Sequence, residues 1–283
     1  MTQDFVTFYQ TPPLHNPILI VGFEGWSNAG NISMKSIEHI IQKKGAKLIA
    51  EIDQDPFYQF TQNRPTVTIK KGRLRDIYLN DIYFYFWPNK AGKRDLILLK
   101  AQEPDYRWPT FVQTLFYLCK QWGVSLIISV GGVHDDVLHT ETIVSGVYSF
   151  KEWRDVFIKN DIPLIEYEGP SGIHSLIMQK AKKEGCPFVG LWGHSPLYLR
   201  GTNFRVVLRI IDIITSLFAF SVDTLELESS LKEFEHQIGE ILETNSELRE
   251  YTQKIKKIRD GAPRKKHTPK VINIKDFIRH KDS

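Results

Sequence analysis

Residues 18–30 read ILIVGFEGWSNAG, and this stretch decides the fold. Residues 18–23 form a continuous apolar run, which is typical of a strand buried on both faces of a parallel sheet. A glycine-rich turn follows, and residues 31–44 then carry isoleucines at helical spacing, with Asn31 as the expected N-cap. Residues 47–52 are interpreted as the next strand. A strand, a helix and a strand in this order predict a parallel pair joined by a right-handed crossover.

The same alternation continues along the chain. The expected strands are residues 95–102, 125–130, 164–167 and 188–192, and the expected helices are residues 108–122, 150–159, 171–184 and 203–218. Three short β-like runs at residues 66–70, 77–79 and 82–87 are expected to form a small antiparallel insertion. The sequence therefore predicts an α/β fold with a single core over residues 1–221.

Residues 222–260 differ from this core. Apolar side chains recur there at alternating spacings of three and four, with Asn245 and Thr252 as polar a positions of a heptad pattern. The pattern predicts a helical extension whose apolar stripe packs either on the chain's own core or on another subunit. Residues 261–283 contain two prolines and clustered charge, which is typical of a flexible basic tail. A small apolar set within residues 271–278 is suited to docking.

The charge of the chain is concentrated at one end. The 283 residues include 37 Lys and Arg against 33 Asp and Glu. Residues 261–283 hold seven basic and two acidic residues, which leaves residues 1–260 at a net charge of −1. A nearly neutral body lacks the basic surface of a domain that binds nucleic acid specifically. We expect the tail to bind polyanions only nonspecifically, with a steep dependence on salt.

Composition also argues against several classes of protein. No apolar run reaches the roughly 18 residues of a membrane span, and two cysteines, Cys119 and Cys186, cannot build a disulfide framework. These features predict a cytoplasmic protein without membrane contact. No zinc spacing or nucleotide-binding fingerprint occurs, so we expect no metal and no cofactor.

The glycine-rich turn at residues 22–30 is the most unusual motif. It lies where a strand leads into a helix, which is where α/β proteins bind ligands, so Glu24, Trp26 and Asn28 are candidate pocket residues. Its spacing matches neither G-x-G-x-x-G nor the P-loop. The alternative is a tight turn that holds Trp26 in the core.

Two further polar motifs follow predicted strands. Glu103 is either a ligand-binding carboxylate or a partner of Arg107 or of the helix that follows. His139 and Thr140 belong to a loop, residues 134–141, with two histidines and three carboxylates. Such a loop is suited to acid–base chemistry, although its spacing matches no zinc signature.

The last two motifs occupy equivalent positions. Glu168, Ser171 and Gly172 precede a predicted helix, where Ser171 is the expected N-cap and free amides are suited to anion binding. Their spacing does not fit a hydrolase nucleophile elbow. His194 and Tyr198 follow the last predicted strand. Because parallel strands end at one edge of a sheet, we expect all these motifs to form a common surface or pocket.

Taken in order, these motifs resemble those of the proteasome assembly chaperone 2 family. The resemblance covers residues 16–222 and the helical extension. It rests on residues 22–30 (GFEGWSNAG), Arg64-Pro65, 103–108 (EPDYRW), 131–140 (GGVHDDVLHT), 167–172 (YEGPSG) and 191–198 (LWGHSPLY). It implies a three-layer α/β/α sandwich related to nucleoside phosphorylases, and cytoplasmic homo-oligomers in prokaryotes. It also implies relatives that help to assemble or bind proteasome particles, although the family has no agreed catalytic residues.

The chain departs from the family pattern at three places in these motifs. Asn28 replaces a usual aspartate, Glu141 replaces a usual arginine, and Leu197 replaces a usual histidine. Residues 280–283 also lack the hydrophobic-tyrosine-any ending of relatives that dock on proteasomes. The resemblance therefore implies altered pocket chemistry and no docking by that route.

Two functional hypotheses follow. The first is an oligomeric, non-enzymatic assembly-chaperone-like or protein-interaction protein with an unknown client. The resemblance implies self-association, and the apolar aromatic run at residues 82–87 would be hard to cover in a monomer, so we expect a homotrimer. The alternative is a small-molecule enzyme, a hydrolase or a nucleoside-processing enzyme, whose pocket lies at the carboxyl edge of the sheet.

Overall fold

The computed structural model describes residues 3–259 and 272–273. The strands are β1 Val6–Phe8, β2 Ile18–Glu24, β3 Lys47–Ile52, β4 Thr66–Lys70, β5 Arg73–Tyr78, β6 Ile82–Trp87, β7 Leu96–Gln102, β8 Leu126–Asp135, β9 Val144–Tyr148, β10 Phe188–Pro196, β11 Leu199–Arg200 and β12 Ile272–Asn273. The helices are α1 Ile32–Lys44, α2 Trp108–Trp122, α3 Glu152–Lys159, α4 Ile173–Lys183, α5 Phe204–Phe218, α6 Leu225–Thr244 and α7 Ser246–Arg259. The helices of the core begin and end close to the predicted positions.

Eight strands form one mixed sheet in the order β1-β3-β6-β7-β2-β8-β10-β9. The strands β7, β2, β8 and β10 are parallel neighbours, and β9 closes one side of the sheet in the antiparallel direction. All residues of β2 except its last are buried, as predicted for a strand covered on both faces. The carboxyl ends of these parallel strands therefore meet at one edge of the sheet.

Helices cover both faces of the sheet. On one face, side chains of α2 and α4 pack with Phe23, Leu99 and Ile127. On the other face, side chains of α1 and α5 pack with Ile20 and Ile128. The fold is thus α/β, with a large mixed sheet between layers of helices, and its relation to nucleoside phosphorylases stays a prediction.

The assignment of residues 82–87 to an antiparallel insertion is wrong. β6 is a member of the main sheet and pairs antiparallel with both β3 and β7. Its residues Ile82, Phe84 and Phe86 are buried, so this run is no longer a reason to expect self-association. Of the three predicted runs, the first two, as β4 and β5, form a hairpin separate from the main sheet. The predicted strand at residues 164–167 is reduced to one isolated bridge, between Leu164 and Gly146.

The C-terminal extension is divided into two helices at Asn245. The backbone of Asn245 is extended (φ −110°, ψ 100°), and its side-chain oxygen accepts a hydrogen bond of 2.9 Å from the Leu248 amide. The assignment of Asn245 as a polar a position of a heptad pattern is therefore wrong, because this short polar side chain ends α6 and caps α7. The buried residues of the stripe pack against Tyr198 and Leu199 of the same chain; they are Ile238, Ile241, Leu248 and Ile255.

Most of the predicted basic tail lies outside the described residues, as do most of its apolar set and the chain ending at residues 280–283. The described pair in β12 lies parallel to β11. The division into a core of residues 1–221 and an extension of residues 222–260 stays a prediction. Among the residues described, no helix is both long and apolar enough to cross a membrane.

Removing residues 222–283 should leave the sheet and its flanking helices folded, because every main-sheet strand precedes the cut. It should also expose Tyr198 and Leu199, which the extension covers, and so promote aggregation. Circular dichroism and light scattering would measure the two effects. A matched control that lacks only residues 260–283 keeps both helices and should stay dispersed. A truncated core that stays fully dispersed would contradict packing of the extension on Tyr198 and Leu199 of its own chain.

Candidate functional site

The glycine-rich turn is held by the side chain of Asn28. Its oxygen accepts a hydrogen bond of 3.2 Å from the Met34 amide in α1, and its nitrogen donates to Glu24 at 2.9 Å. Asn31 is the N-cap residue of α1, as predicted, but its backbone is left-handed (φ 50°) and its side chain makes no capping hydrogen bond to α1. That side chain donates to Thr202 at 3.2 Å instead.

Trp26 does not lie in the core. Its side chain is 64% exposed, so the interpretation of the turn as an anchor for a buried tryptophan is wrong. The physical reason is the tight turn itself, because Gly25 has a positive φ of 126° and directs the chain away from the sheet after β2. The neighbouring Ser27 is buried, and its hydroxyl has no partner among the described residues.

Glu103 joins the glycine-rich turn to the start of α4. Its carboxylate accepts a hydrogen bond of 2.7 Å from the Ile173 amide, and it also accepts one from the Trp26 amide. Burial raises the pKa of the Glu103 carboxyl above its ordinary value, and the two amides offset part of this rise. The Glu103 carboxylate thus binds the first amide of α4. The expectation that it pairs with Arg107 or caps α2 is therefore wrong.

Gly172 completes this group, which we call the edge cluster: Trp26, Ser27, Glu103, Gly172 and Ile173. A Cβ on Gly172 would lie 2.9 Å from Glu103 Oε1 and would also collide with the Ser27 hydroxyl. Gly172, rather than the expected Ser171, is the N-cap residue of α4. The Ile173 amide, one of those expected to receive an anion, is already bound by the Glu103 carboxylate.

A second group forms around His139 and Tyr198. The Tyr198 hydroxyl accepts from the His139 amide at 2.9 Å and lies 2.8 Å from His139 Nδ1. Burial and the nearby Arg205 lower the pKa of His139. These residues lie beneath α7 and beside a shallow cleft that is also lined by Ser195, Asn203 and Phe234.

A third group, the Ser–His–Asp array, consists of Ser145, His194 and Asp135. His194 Nε2 lies 2.7 Å from the Ser145 hydroxyl, and His194 Nδ1 lies 2.8 Å from Asp135 Oδ2. His194 was expected at the site, and Asp135 belongs to the polar loop noted in the sequence. Ser145 was missed, because a serine in a short strand carries no sequence signal.

The candidate residues thus fall into separate groups along one edge. The glycine-rich turn, Glu103 and Gly172 come together as predicted, whereas His139 belongs to a different group. Glu168, Ser171 and Thr140 are exposed. The turn still connects to β8, because the Gly132 amide donates to the Ser27 carbonyl at 2.7 Å. The described residues contain no group of His, Cys, Asp and Glu arranged to hold a metal ion.

The fold and this polar carboxyl edge define an α/β sandwich protein whose candidate functional residues follow the strands of a mixed sheet. The model of the PAC2 family matches residues 22–242. The chain therefore belongs to the PAC2 family. No curated protein matches the sequence.

Solved structures share this architecture. A PAC2 family protein from Streptomyces avermitilis is 26% identical, with a TM-score of 0.74 over 83% of this chain and 99% of its own. A proteasome-assembly chaperone homologue from Mycobacterium tuberculosis is 24% identical, with the same TM-score and coverage. PbaB, an archaeal proteasome activator from Pyrococcus furiosus, is 21% identical, with a TM-score of 0.66 over 83% of this chain and 97% of its own.

The Glu103 carboxylate should stabilise the edge cluster mainly as an acceptor of two amides. Glu103→Ala should cost about 1–3 kcal/mol of unfolding free energy, because it leaves buried amides unpaired, whereas Glu103→Gln keeps an acceptor. Since the folded pKa is raised, the wild type should lose stability relative to Glu103→Gln as pH rises from about 4.3 through that pKa. Chemical denaturation across pH measures this difference, and a rise in relative stability over this range would contradict it.

Gly132 should tolerate no side chain, because the glycine-rich turn packs directly on β8. A Cβ there would collide with the carbonyl oxygen of Ala29 and lie 2.9 Å from its nitrogen. Gly132→Ala should therefore lower the unfolding free energy by about 1–3 kcal/mol. The matched control is Gly239→Ala in α6, where a Cβ meets open space and should stabilise by about 0.5–1 kcal/mol. Equal effects of both changes in denaturation experiments would refute the close packing.

Proposed function

We propose that this PAC2 family member is an assembly-chaperone-like protein that forms a homotrimer and binds a protein client. The names of similar structures support a chaperone-like role, since one is a proteasome-assembly chaperone homologue and another is an archaeal proteasome activator. The two unpaired cysteines support a cytoplasmic location, where thiols stay reduced.

The hairpin of β4 and β5 carries this proposal. Its strands meet at Lys71 and Gly72, both with positive φ, as in a type I′ turn. Val67 pairs with Ile77 and Ile69 with Leu74, and the register shift between these pairs keeps all four side chains on one face. Each is at least half exposed. A two-stranded hairpin is marginal in water without cover, so a partner is expected on this apolar face.

A second copy of the chain fits this hairpin through charge. Residues 66–79 contain four basic residues and one acidic residue, and α6 contains six glutamates and one lysine. All six glutamates are exposed, and so is the apolar Leu225 at the start of α6. Contact between the hairpin of one chain and α6 of the next, without the reciprocal contact between the same two chains, would be head-to-tail. Such contacts close into rings when the rotation allows, and a trimer is the smallest ring of this kind.

Exposed aromatic side chains near the edge cluster support a client-binding surface. Trp26 belongs to the cluster, Tyr106 follows Glu103 by three residues, and Tyr167 precedes Gly172 by five. Each is more than half exposed. Exposed Trp and Tyr are enriched among the residues that contribute most to protein–protein binding.

Removing the apolar face of the hairpin should dissociate the trimer. Ile69→Ser combined with Ile77→Ser should shift the sedimenting species from three chains to one at micromolar concentration, because association loses its apolar contact. The matched control is Ile158→Ser on α3, which has similar exposure in the monomer and should leave the mass unchanged. A wild-type protein that sediments only at 32.9 kDa would refute the trimer.

A charge exchange tests the partner surface. Arg73→Glu with Arg75→Glu should weaken association, and adding Glu233→Lys with Glu240→Lys in α6 should restore it at low salt. Failure of the second pair to restore association would leave the hairpin as an interface but exclude α6 as its partner.

A further inference from the structure

Three strands bring Ser145, His194 and Asp135 to the carboxyl edge of the sheet. β10 lies between β8 and β9, with Trp192 opposite Ser145 and Pro196 opposite Asp135. His194 lies two residues after Trp192 and two residues before Pro196, so its side chain is on the same face of the sheet as theirs. Ser145 and Asp135, which lie opposite Trp192 and Pro196, share that face, and His194 lies between them. The carboxyl edge is also where α/β proteins place their ligands.

The hydrogen bonds assign a distinct role to each group. A carboxylate only accepts, so His194 donates its Nδ1 proton to Asp135 over 2.8 Å. Nε2 is then an acceptor, and the Ser145 hydroxyl donates to it over 2.7 Å. Asp135 is itself oriented by the Asp136 amide, which donates to its other carboxylate oxygen at 2.7 Å. A nucleophile, a base and a group that orients the base are therefore arranged in sequence.

A second serine–histidine pair, Ser129 and His174, differs from the array because, within the ranges that the structure describes, it lacks an orienting carboxylate and is fully buried. Ser129 contacts His174 Nδ1, but His174 is enclosed by the rings of Phe23 and Trp192. No carboxylate of the described residues bonds to it. Burial lowers the pKa of His174 to about 4, and its Nε2 has no hydrogen-bond partner in the described part of the chain. That pair belongs to the core. In the array, by contrast, the side chain of Asp135 is 47% exposed and that of His194 is 17% exposed.

We propose that Ser145 is the nucleophile of an acyl-transfer site that hydrolyses small carboxylic esters. The Ser145 oxygen attacks the ester carbonyl carbon while His194 Nε2 takes the hydroxyl proton. The carbon–oxygen bond to the alcohol then breaks, and His194 gives that proton to the departing alcohol. Water next attacks the acyl-serine, His194 takes its proton and returns one to Ser145, and the carboxylic acid leaves. Because Ser145 is 5% exposed, an acyl group must be slender to reach its hydroxyl.

A fluorophosphonate probe tests the nucleophile directly in the full-length protein. Ser145 would form a bond to phosphorus, fluoride would leave, and His194 would take the hydroxyl proton. We expect one phosphonyl adduct, located on Ser145 by peptide mass spectrometry. Ser145→Ala should abolish it, and Asp135→Asn should slow its formation by about a hundredfold, since the base loses its orienting carboxylate.

Two serines serve as controls. Ser149→Ala lies on the same stretch of chain but contacts the backbone of Phe188, and Ser129→Ala removes the core pair, so both variants should label at the wild-type rate if their circular dichroism is unchanged. Hydrolysis of p-nitrophenyl acetate should fall in parallel with labelling. Absence of an adduct on the folded wild type, an adduct on another residue, or an unchanged rate in Asp135→Asn would overturn the proposal.

Discussion

The burial of β2 between two parallel neighbours is the constraint on which the structure depends. Its backbone pairs with β7 and β8, and its side chains fill both cores, so neither helical layer has a core without it. The glycine-rich turn that follows must leave the sheet abruptly and still pack on β8. Glycines satisfy both requirements, at Gly25 through a positive φ and at Gly132 through the close approach of backbone. The position of the edge cluster follows from this geometry.

Much of this architecture is readable from the sequence because it is local. The apolar run at residues 18–23 and the helical periodicities around it predict the central sheet and its layers. The sequence does not distinguish the strands of the hairpin from β6, because all three are short apolar runs that follow one another in the chain. Only pairing with the distant strands β3 and β7 places β6 in the main sheet. Asn245 was also misinterpreted, because a polar a position and a helix cap look the same in a heptad pattern.

The sequence predicts where the candidate residues lie in the fold, but it does not predict which side chains contact one another there. The edge of the sheet follows from strand order, so Glu103, Gly172 and His194 could be named in advance. Their contacts depend on register across strands. Ser145 meets His194 only because β9 pairs with β10 with Trp192 opposite Ser145, and nothing in the residues 144–148 themselves specifies this pairing. The exposure of Trp26 likewise depends on how the turn packs on α4.

Sheet order also decides whether the two proposed activities interfere. The hairpin is inserted between β3 and β6, whereas the Ser–His–Asp array spans β8, β10 and β9 at the other side of the sheet. Four strand intervals separate β6 from β10, which is roughly 20 Å at ordinary strand spacing. The hairpin of a chain therefore does not cover Ser145 of that same chain. Loss of the trimer should then leave the reactivity of Ser145 intact, because the array is built entirely from groups of a single chain.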